Sequence, residues 1–153
     1  MTGFAGHAPR HRSVIMAVLA VLDNAPRDLR FERSAVMATL PREGDRVLVL
    51  KEPWMRCILR GEKRMEVRGA RLKSGPVFFG CSGLVHASGI LGEAVPITTD
   101  EAWRELRGEH CVGTDVLPYK KTFGLPIVKV EKLARPVRYK HPRAAVGIVK
   151  HRG

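Results

Sequence analysis

The sequence predicts an α+β fold: a small mixed β-barrel, partly open, with helices at its rim and a short N-terminal helical extension before it. Hydrophobic residues make up 44% of the 153 residues, which is enough for one domain with a core. After position 46, several short segments rich in β-branched residues are interrupted by two helical segments. Many short strands combined with few helices are typical of small barrels.

The first 45 residues are interpreted as an N-terminal extension of unknown role, and residues 46–153 as the domain. A serine before the apolar run at 14–22 predicts a short helix there. The run is too short to span a bilayer, so no membrane association is expected. A secretion signal is the alternative, although no clear cleavage site follows the run.

The segment at 46–51, RVLVLK, predicts a buried strand, and a short helix follows it over about 53–60. Pro53 suits the first position of that helix and Gly61 suits the position just beyond its end. Three apolar residues at helical spacing form its predicted core face: Trp54, Cys57 and Ile58.

The next segment, KRMEVRG at 63–69, alternates between apolar and charged residues, as a strand with one buried face does. Met65 and Val67 are predicted to face the core. The charged residues are predicted to share the other face: Arg64, Glu66 and Arg68.

The remaining pattern predicts more strands around a second helix. That helix begins at Thr98 and Thr99, runs to about Arg107 and is ended by Gly108. Strands are predicted at 77–83, at 84–97 with glycine irregularities, at 125–139 and at 144–150.

The chain carries a formal net charge of +12, and almost all of the excess lies in the domain. Residues 1–45 contain six Lys/Arg and five Asp/Glu, whereas residues 46–153 contain twenty-one and ten. An excess of this size points to an anionic partner, and the phosphate backbone of a nucleic acid is the commonest one. A basic protein without such a partner is the alternative.

No metal, cofactor or disulfide is expected from the cysteines and histidines. Cys57, Cys81 and Cys111 are far apart in sequence, and neither they nor the histidines show the spacing of a zinc site. Free thiols fit a reducing compartment, so the expected location is intracellular, either cytoplasmic or nuclear.

Lys63, Glu66 and their arginine neighbours are the densest charged group in the sequence. A carboxylate between Arg64 and Arg68 can orient both guanidiniums, whose remaining donors suit phosphates and base edges. From the spacing alone, a solvated strand face with weak surface ion pairs is favoured over a binding site.

The stretch KEPWMRCILRGEKRMEVRG resembles the signature of the ASCH family, named for homology to the activating signal cointegrator. The family pattern places Pro-Trp at a helix start, here Pro53 and Trp54, and then G-x-K-x-x-E-x-R. In this chain that motif is supplied by four residues: Gly61, Lys63, Glu66 and Arg68. The resemblance covers about residues 46–150 and includes the weaker matches GPVFFGCSG and LPYKKTF.

The resemblance implies a PUA-like barrel in which the motif residues line a cleft between the first helix and the barrel. It implies nucleic-acid binding, most often of RNA, with DNA as a possible ligand. A nucleotide-directed hydrolase is the alternative, either a ribonuclease or an amidohydrolase of acylated nucleosides that would use Lys63 and Glu66. The amidohydrolase relatives have threonine at the position of Glu66, so the hydroxyl nucleophile is missing here. A further alternative is a protein-interaction module of a transcription coactivator complex, with unknown protein partners.

Two further groups are candidate contacts for nucleic acid. Tyr119 stands beside two cations, Lys120 and Lys121, and this combination suits a single strand, although a solvated loop explains it equally well. The segment 132–152 contains seven Lys/Arg and no Asp/Glu, and its candidate contacts are Arg138 and Lys140. The alternative for this segment is two barrel strands with basic solvent faces.

Overall fold

The computed structural model describes Met16, residues 18–23 and residues 39–153. Met16 and residues 18–23 are helical, as expected for the apolar run, while positions 14, 15 and 17 of that run lie outside the described residues. Residues 39–153 form ten elements: β1 (Arg46–Val49), α1 (Trp54–Leu59), β2 (Met65–Arg68), β3 (Gly75–Cys81), β4 (Leu84–Leu91), β5 (Val95–Ile97), α2 (Asp100–Glu105), α3 (Arg107–His110), β6 (Thr122–Arg138) and β7 (Ile148–Lys150).

The strands form one mixed sheet in the order β2-β6-β4-β3-β1-β7, with β5 also paired to β6. Among the described strands, β1 and β3 form the one parallel pair, with Val47 opposite Phe78, and the other pairs are antiparallel. The 17-residue strand β6 pairs with β2 and β5 through its first part and with β4 further along. The sheet curls into a half-barrel with short helices beside it, which confirms the predicted α+β barrel.

Apolar side chains fill the inside of the curled sheet in a central cluster. Met55 and Ile58 of α1 pack there against buried residues of the strands, including Phe79 and Leu125. A second cluster lies on the other side of β2, where Met65 and Val67 meet Trp103 of α2. The alternation predicted for 63–69 therefore holds, since Met65 and Val67 are buried together on one face.

The described part of the N-terminal segment contributes to the second cluster. Val18 and Leu22 are 1% and 0% exposed and belong to the same group of buried residues as Met65 and Trp103. These side chains therefore pack against core residues of the domain. The boundary at residue 45 stays a prediction about where an independently stable unit begins.

Two predicted elements are divided in the structure. The single strand predicted at 84–97 is two strands, β4 and β5, and the pairing shifts register beside Gly89. A side chain at Gly89 would place its Cβ 2.6 Å from Cε2 of Phe79, so this position requires glycine. The single helix predicted to end before Gly108 is two helices, α2 and α3, and Gly108 lies inside α3.

The first helix has the predicted limits but not the predicted core face. Gly61 has φ +75°, the left-handed conformation expected just beyond a helix end. Met55 and Ile58 are the buried residues, whereas Trp54 and Cys57 are only half-buried. The interpretation of Trp54 as a core residue was therefore wrong, because its ring lies over Lys63 rather than inside the sheet.

Candidate functional site

The turn after α1 directs Lys63 back toward the helix. Gly61 allows the chain to reverse, and the carbonyl oxygen of Cys57 then accepts hydrogen bonds from the backbone N–H of Glu62 at 2.9 Å and of Lys63 at 3.1 Å. These bonds satisfy a carbonyl that the helix end would otherwise leave unpaired. Lys63 is thereby fixed between α1 and the start of β2.

The side chain of Lys63 is buried, with 2% of its surface exposed. Its Nζ donates a 2.7 Å hydrogen bond to the main-chain oxygen of His110, lies 3.8 Å from Oε2 of Glu66 and is 5.1 Å from the ring centroid of Trp54. Burial lowers the pKa of Lys63 below its ordinary value, and the attraction of Glu66 opposes this effect. Deprotonation of the Lys63 amine therefore costs less free energy than deprotonation of an exposed lysine.

Glu66 projects from the face of β2 opposite Met65 and Val67 and is 6% exposed. Its Oε1 accepts a 2.9 Å hydrogen bond from Nε of Arg68. Its Oε2 is buried, has no hydrogen-bond partner among the described residues and faces Nζ of Lys63. The expectation of a solvated strand face fails at this position, because both Lys63 and Glu66 lie inside the fold.

The two arginines next to Glu66 have different partners. Arg68 binds Glu66 and also donates from Nη2 to the carbonyl oxygen of Val49 at 2.7 Å. Arg64 instead lies beside Glu109 of α3, with 3.2 Å between Nε and Oε2. The interpretation that Glu66 orients both arginines was wrong for Arg64, whose backbone N–H is bonded to the oxygen of Glu109 and which is thereby tied to α3.

Arg64 has a donor that the fold does not use. Its Nη2 atom is buried and has no hydrogen-bond partner among the described residues, whereas Nε lies in the ion pair with Glu109. Oε2 of Glu66 lies in the ion pair with Lys63 but likewise accepts no hydrogen bond from the described residues. Buried polar atoms are usually paired, so these atoms are available to hydrogen-bond a ligand or a water molecule.

His110 is a central residue of the site that the sequence analysis missed. Its ring is fully buried and stacks on Trp103, with 3.7 Å between the ring centroids and 10° between the planes. Burial lowers the pKa of His110, and the neighbouring charges of Lys63 and Arg107 lower it further. The available signal was the spacing of seven residues from Trp103, which places both on one side of a helical segment.

The other predicted contacts lie outside this cleft. Tyr119, Lys120 and Lys121 are exposed, and the ring of Tyr119 packs on Gly69, where an added Cβ would lie 3.1 Å from Cδ1. Because Gly69 follows Arg68, this loop borders the Arg68 end of the cleft.

Arg138 and Lys140 of the C-terminal segment are exposed. They lie at and just beyond the end of β6, away from the cleft. Arg138 is the last residue of β6, whereas Leu125, the partner of Glu66, is near its beginning. Lys140 follows Arg138 after one buried residue. The structure therefore does not gather these two cations beside Lys63.

The described residues contain no group of three or more His, Cys, Asp or Glu side chains arranged to hold a metal ion. Cys57, Cys81 and Cys111 are all free thiols. In the same part of the chain, no helix has the length and apolarity needed to cross a bilayer.

No family model and no curated protein matches this chain. Solved structures do match, and among them are ASCH proteins from Zymomonas mobilis. The structure of a serine-to-alanine mutant of ZmASCH aligns with TM-score 0.57 and 14% identity, over 74% of this chain and 92% of that one. This chain has the fold of an ASCH domain. A tyrosine-to-phenylalanine mutant of the same protein gives TM-score 0.57 and 14% identity, over 71% and 91% of the two chains.

The structure titled ASCH from Zymomonas mobilis gives TM-score 0.54 and 15% identity, over 71% of this chain and 88% of that one. The ASCH fold predicted from the motif around Lys63 and Glu66 is thus confirmed. At this level of identity the likeness establishes the fold and leaves the ligand to be argued from the residues of this chain.

Proposed function

We propose that this chain is an RNA-binding module of the ASCH type, in which a base or nucleotide enters the cleft of Lys63, Glu66 and Arg68. The observation that carries the proposal is the buried Lys63–Glu66 pair, whose Oε2 atom has no hydrogen-bond donor among the described residues. A buried acceptor left unpaired destabilises a fold by about 1–3 kcal/mol. An exocyclic amine of a base would supply the missing donor, and Lys63 would contact a carbonyl or phosphate.

Charge supports a polyanionic ligand outside the cleft. The net charge of residues 46–153 is strongly positive, and Arg138 and Lys140 are exposed on the C-terminal segment. Phosphates along this segment, and bases near Tyr119, Lys120 and Lys121, would extend the contact. RNA is preferred to DNA because it is the ligand most often proposed for ASCH domains, and the proposal includes a role in regulating transcription or translation.

The test is a fluorescence-anisotropy titration of the full chain with single-stranded RNA, duplex RNA and single-stranded DNA of one sequence across a salt series. If about four to six phosphates are neutralised, the slope of log affinity against log salt is expected to be roughly −3 to −5. Absence of binding at low salt, or a flat salt response, would overturn the proposal.

Variants separate the cleft from the basic segment. Replacing Arg138 and Lys140 together by alanine is expected to lower affinity and to reduce the salt slope by about 1–2, since phosphate contacts are lost. Lys63→Met is expected to weaken binding about tenfold, with a nearly unchanged slope for a contact to a base carbonyl and a slope reduced by about 1 for a contact to a phosphate. Lys73→Ala, at an exposed lysine outside both groups, is the matched control and is expected to leave affinity within about twofold.

A nucleotide-directed hydrolase is the second candidate function. The observation that favours it is the lowered pKa of Lys63 beside a carboxylate at 3.8 Å, since such a pair can transfer protons. The threonine nucleophile of the amidohydrolase relatives is absent, which favours binding over this chemistry. Turnover of acylated nucleosides or single-stranded RNA that is lost in both Lys63→Met and Glu66→Gln would replace the binding proposal with this one.

A further inference from the structure

His110 supplies the only strong hydrogen-bond acceptor that the described residues offer to Nζ of Lys63, at 2.7 Å, whereas Oε2 of Glu66 is 3.8 Å away. That acceptor is a main-chain oxygen at the C-terminal end of α3. The next residue, Cys111, has φ +61°, so the chain turns sharply there. The position of the oxygen therefore depends on what fixes the end of this four-residue helix.

The ring of His110 fixes that end through both of its nitrogens. Nδ1 lies 2.9 Å from the backbone nitrogen of Val112, which can only donate, so Nδ1 is the acceptor. Nε2 lies 2.9 Å from the carbonyl oxygen of Trp103, which can only accept, so Nε2 carries the proton. The surroundings thus select one tautomer of the neutral ring, and the stack on Trp103 holds the ring plane.

We infer that His110 is a positioning residue of the cleft, whose neutral ring fixes the turn at Cys111 and Val112 and thereby the oxygen that holds Lys63 beside Glu66. In acid the ring takes up a proton at Nδ1, which then faces the N–H of Val112 as a second donor. The Val112 bond is lost, the turn shifts and Lys63 loses its acceptor. The cleft is therefore intact only while His110 is neutral.

The charges around the ring act in the same direction. Lys63, from the turn before β2, and Arg107, on α3 itself, are the charged groups that influence His110, and both disfavour its protonation. Desolvation of the ring is the largest effect on its pKa and also favours the neutral form. The hydrogen bond to the carbonyl of Trp103 has the opposite effect and raises the pKa of His110. The neutral ring is thus the form that the native packing selects.

The first test needs no RNA and uses the intact chain. Nuclear magnetic resonance of the histidine nitrogens is expected to show the Nε2–H tautomer of His110 near neutral pH. During acid titration, the Val112 amide and the Cε signal of Lys63 are expected to shift with the same midpoint as the His110 ring. An Nδ1–H tautomer, or a Lys63 signal that does not respond to the His110 titration, would overturn the inference.

The second test measures RNA affinity and rests on the proposed function. His110→Asn retains a side-chain oxygen that can accept from Val112 and removes the titration. His110→Leu removes the acceptor and is expected to weaken binding about tenfold at neutral pH, while His110→Asn restores at least half of that loss in free energy. His86→Leu, at a partly buried histidine of β4 outside both the cleft and the basic C-terminal segment, is the control and should leave affinity unchanged.

The pH profile separates positioning from a general structural role. The affinity of the native chain is expected to include a fall as the pH is lowered below 6.5, and this fall is expected to be absent in His110→Asn. Equal pH profiles for the two proteins would overturn the inference. If no RNA binds any variant, the proposed function fails while the titration of the native chain still decides the role of His110. The same titration decides it if His110→Leu does not fold.

Discussion

Arg68 and Val49 lie on strands that are separated in the sheet by three others, yet Nη2 of Arg68 donates a 2.7 Å hydrogen bond to the carbonyl oxygen of Val49. The bond links β2 to β1, which are not paired with each other in the sheet. The same guanidinium binds Glu66 through Nε. Arg68 therefore connects the two sides of the curled sheet while it orients the carboxylate, so its role is partly structural.

Arg68→Lys is expected to lower the free energy of unfolding by about 1.5–3 kcal/mol, because an ammonium cannot make both charge-assisted bonds at once. Urea denaturation monitored by circular dichroism measures this change. Arg104→Lys is the control: its ion pair with Glu101 is exposed, so its effect should be within about 0.5 kcal/mol. Equal effects of the two variants would contradict the bridging role of Arg68.

Glu66→Gln retains the side-chain shape and removes the negative charge between Lys63 and Arg68. Because the carboxylate is buried, the variant is expected to lose about 3 kcal/mol of stability, near the lower end for breaking a buried pair. The pKa of Lys63 should fall further, since the attraction of Glu66 normally opposes the effect of burial. Urea denaturation and the Cε signal of Lys63 measure the two effects.

Glu101→Gln provides the comparison for that variant. Glu101 also pairs with an arginine, but its side chain is 75% exposed, so its loss should change stability by less than about 1 kcal/mol. If Glu66→Gln were equally mild and left the Lys63 signal unchanged, the pair would be an ordinary surface ion pair.

The sequence predicted the local features of this site and missed its long-range contacts. The reversal at Gly61 and the alternation of Met65 and Val67 follow from backbone conformation and strand periodicity, which neighbouring residues determine. The bond from Lys63 to His110 joins residues 47 positions apart. Contacts of that kind depend on how α3 packs against β2, and no pattern within either segment specifies them.

Trp54 illustrates the same limit. Helical spacing placed it on one face with Ile58, but a helix of six residues has too few turns for spacing to decide between core and cleft. The fold buries Met55 instead and leaves Trp54 partly buried, with its ring over the Lys63 amine. Spacing alone could not distinguish a ring that packs in the core from one that borders a site.

Trp54→Ala is therefore expected to reduce stability by about 1–2 kcal/mol, mainly through the loss of its contact with Lys63 and of partly buried area. Met55→Ala, the adjacent change in the central cluster, is expected to cost about 2–5 kcal/mol. Urea denaturation of both variants gives the comparison. A larger loss of stability for Trp54→Ala than for Met55→Ala would indicate that Trp54 is a core residue.

The pKa of His110 makes stability depend on pH with a definite sign. Its folded-state pKa lies below the ordinary value of 6.5, so the unfolded chain binds the proton more readily. The stabilisation from the neutral ring is complete above pH 6.5 and is lost as the pH falls through the folded-state pKa. The free energy of unfolding of the native chain minus that of His110→Asn should therefore decrease as the pH is lowered below 6.5. A pH-independent difference would contradict this.

Leu22 tests whether the N-terminal segment belongs to the folded unit. Its side chain is completely buried beside Met65 and Trp103, whereas Val21, the preceding residue, is 49% exposed. Leu22→Ala is expected to lower the free energy of unfolding by about 2–5 kcal/mol, and Val21→Ala, as the matched control, by less than about 0.5 kcal/mol.

Removal of residues 1–45 exposes the same part of the second cluster, so the truncated chain should melt at a lower temperature than the full chain. Equal stability of the truncated and full chains would instead support an independent domain that begins at residue 46, and a mild effect of Leu22→Ala would agree with it.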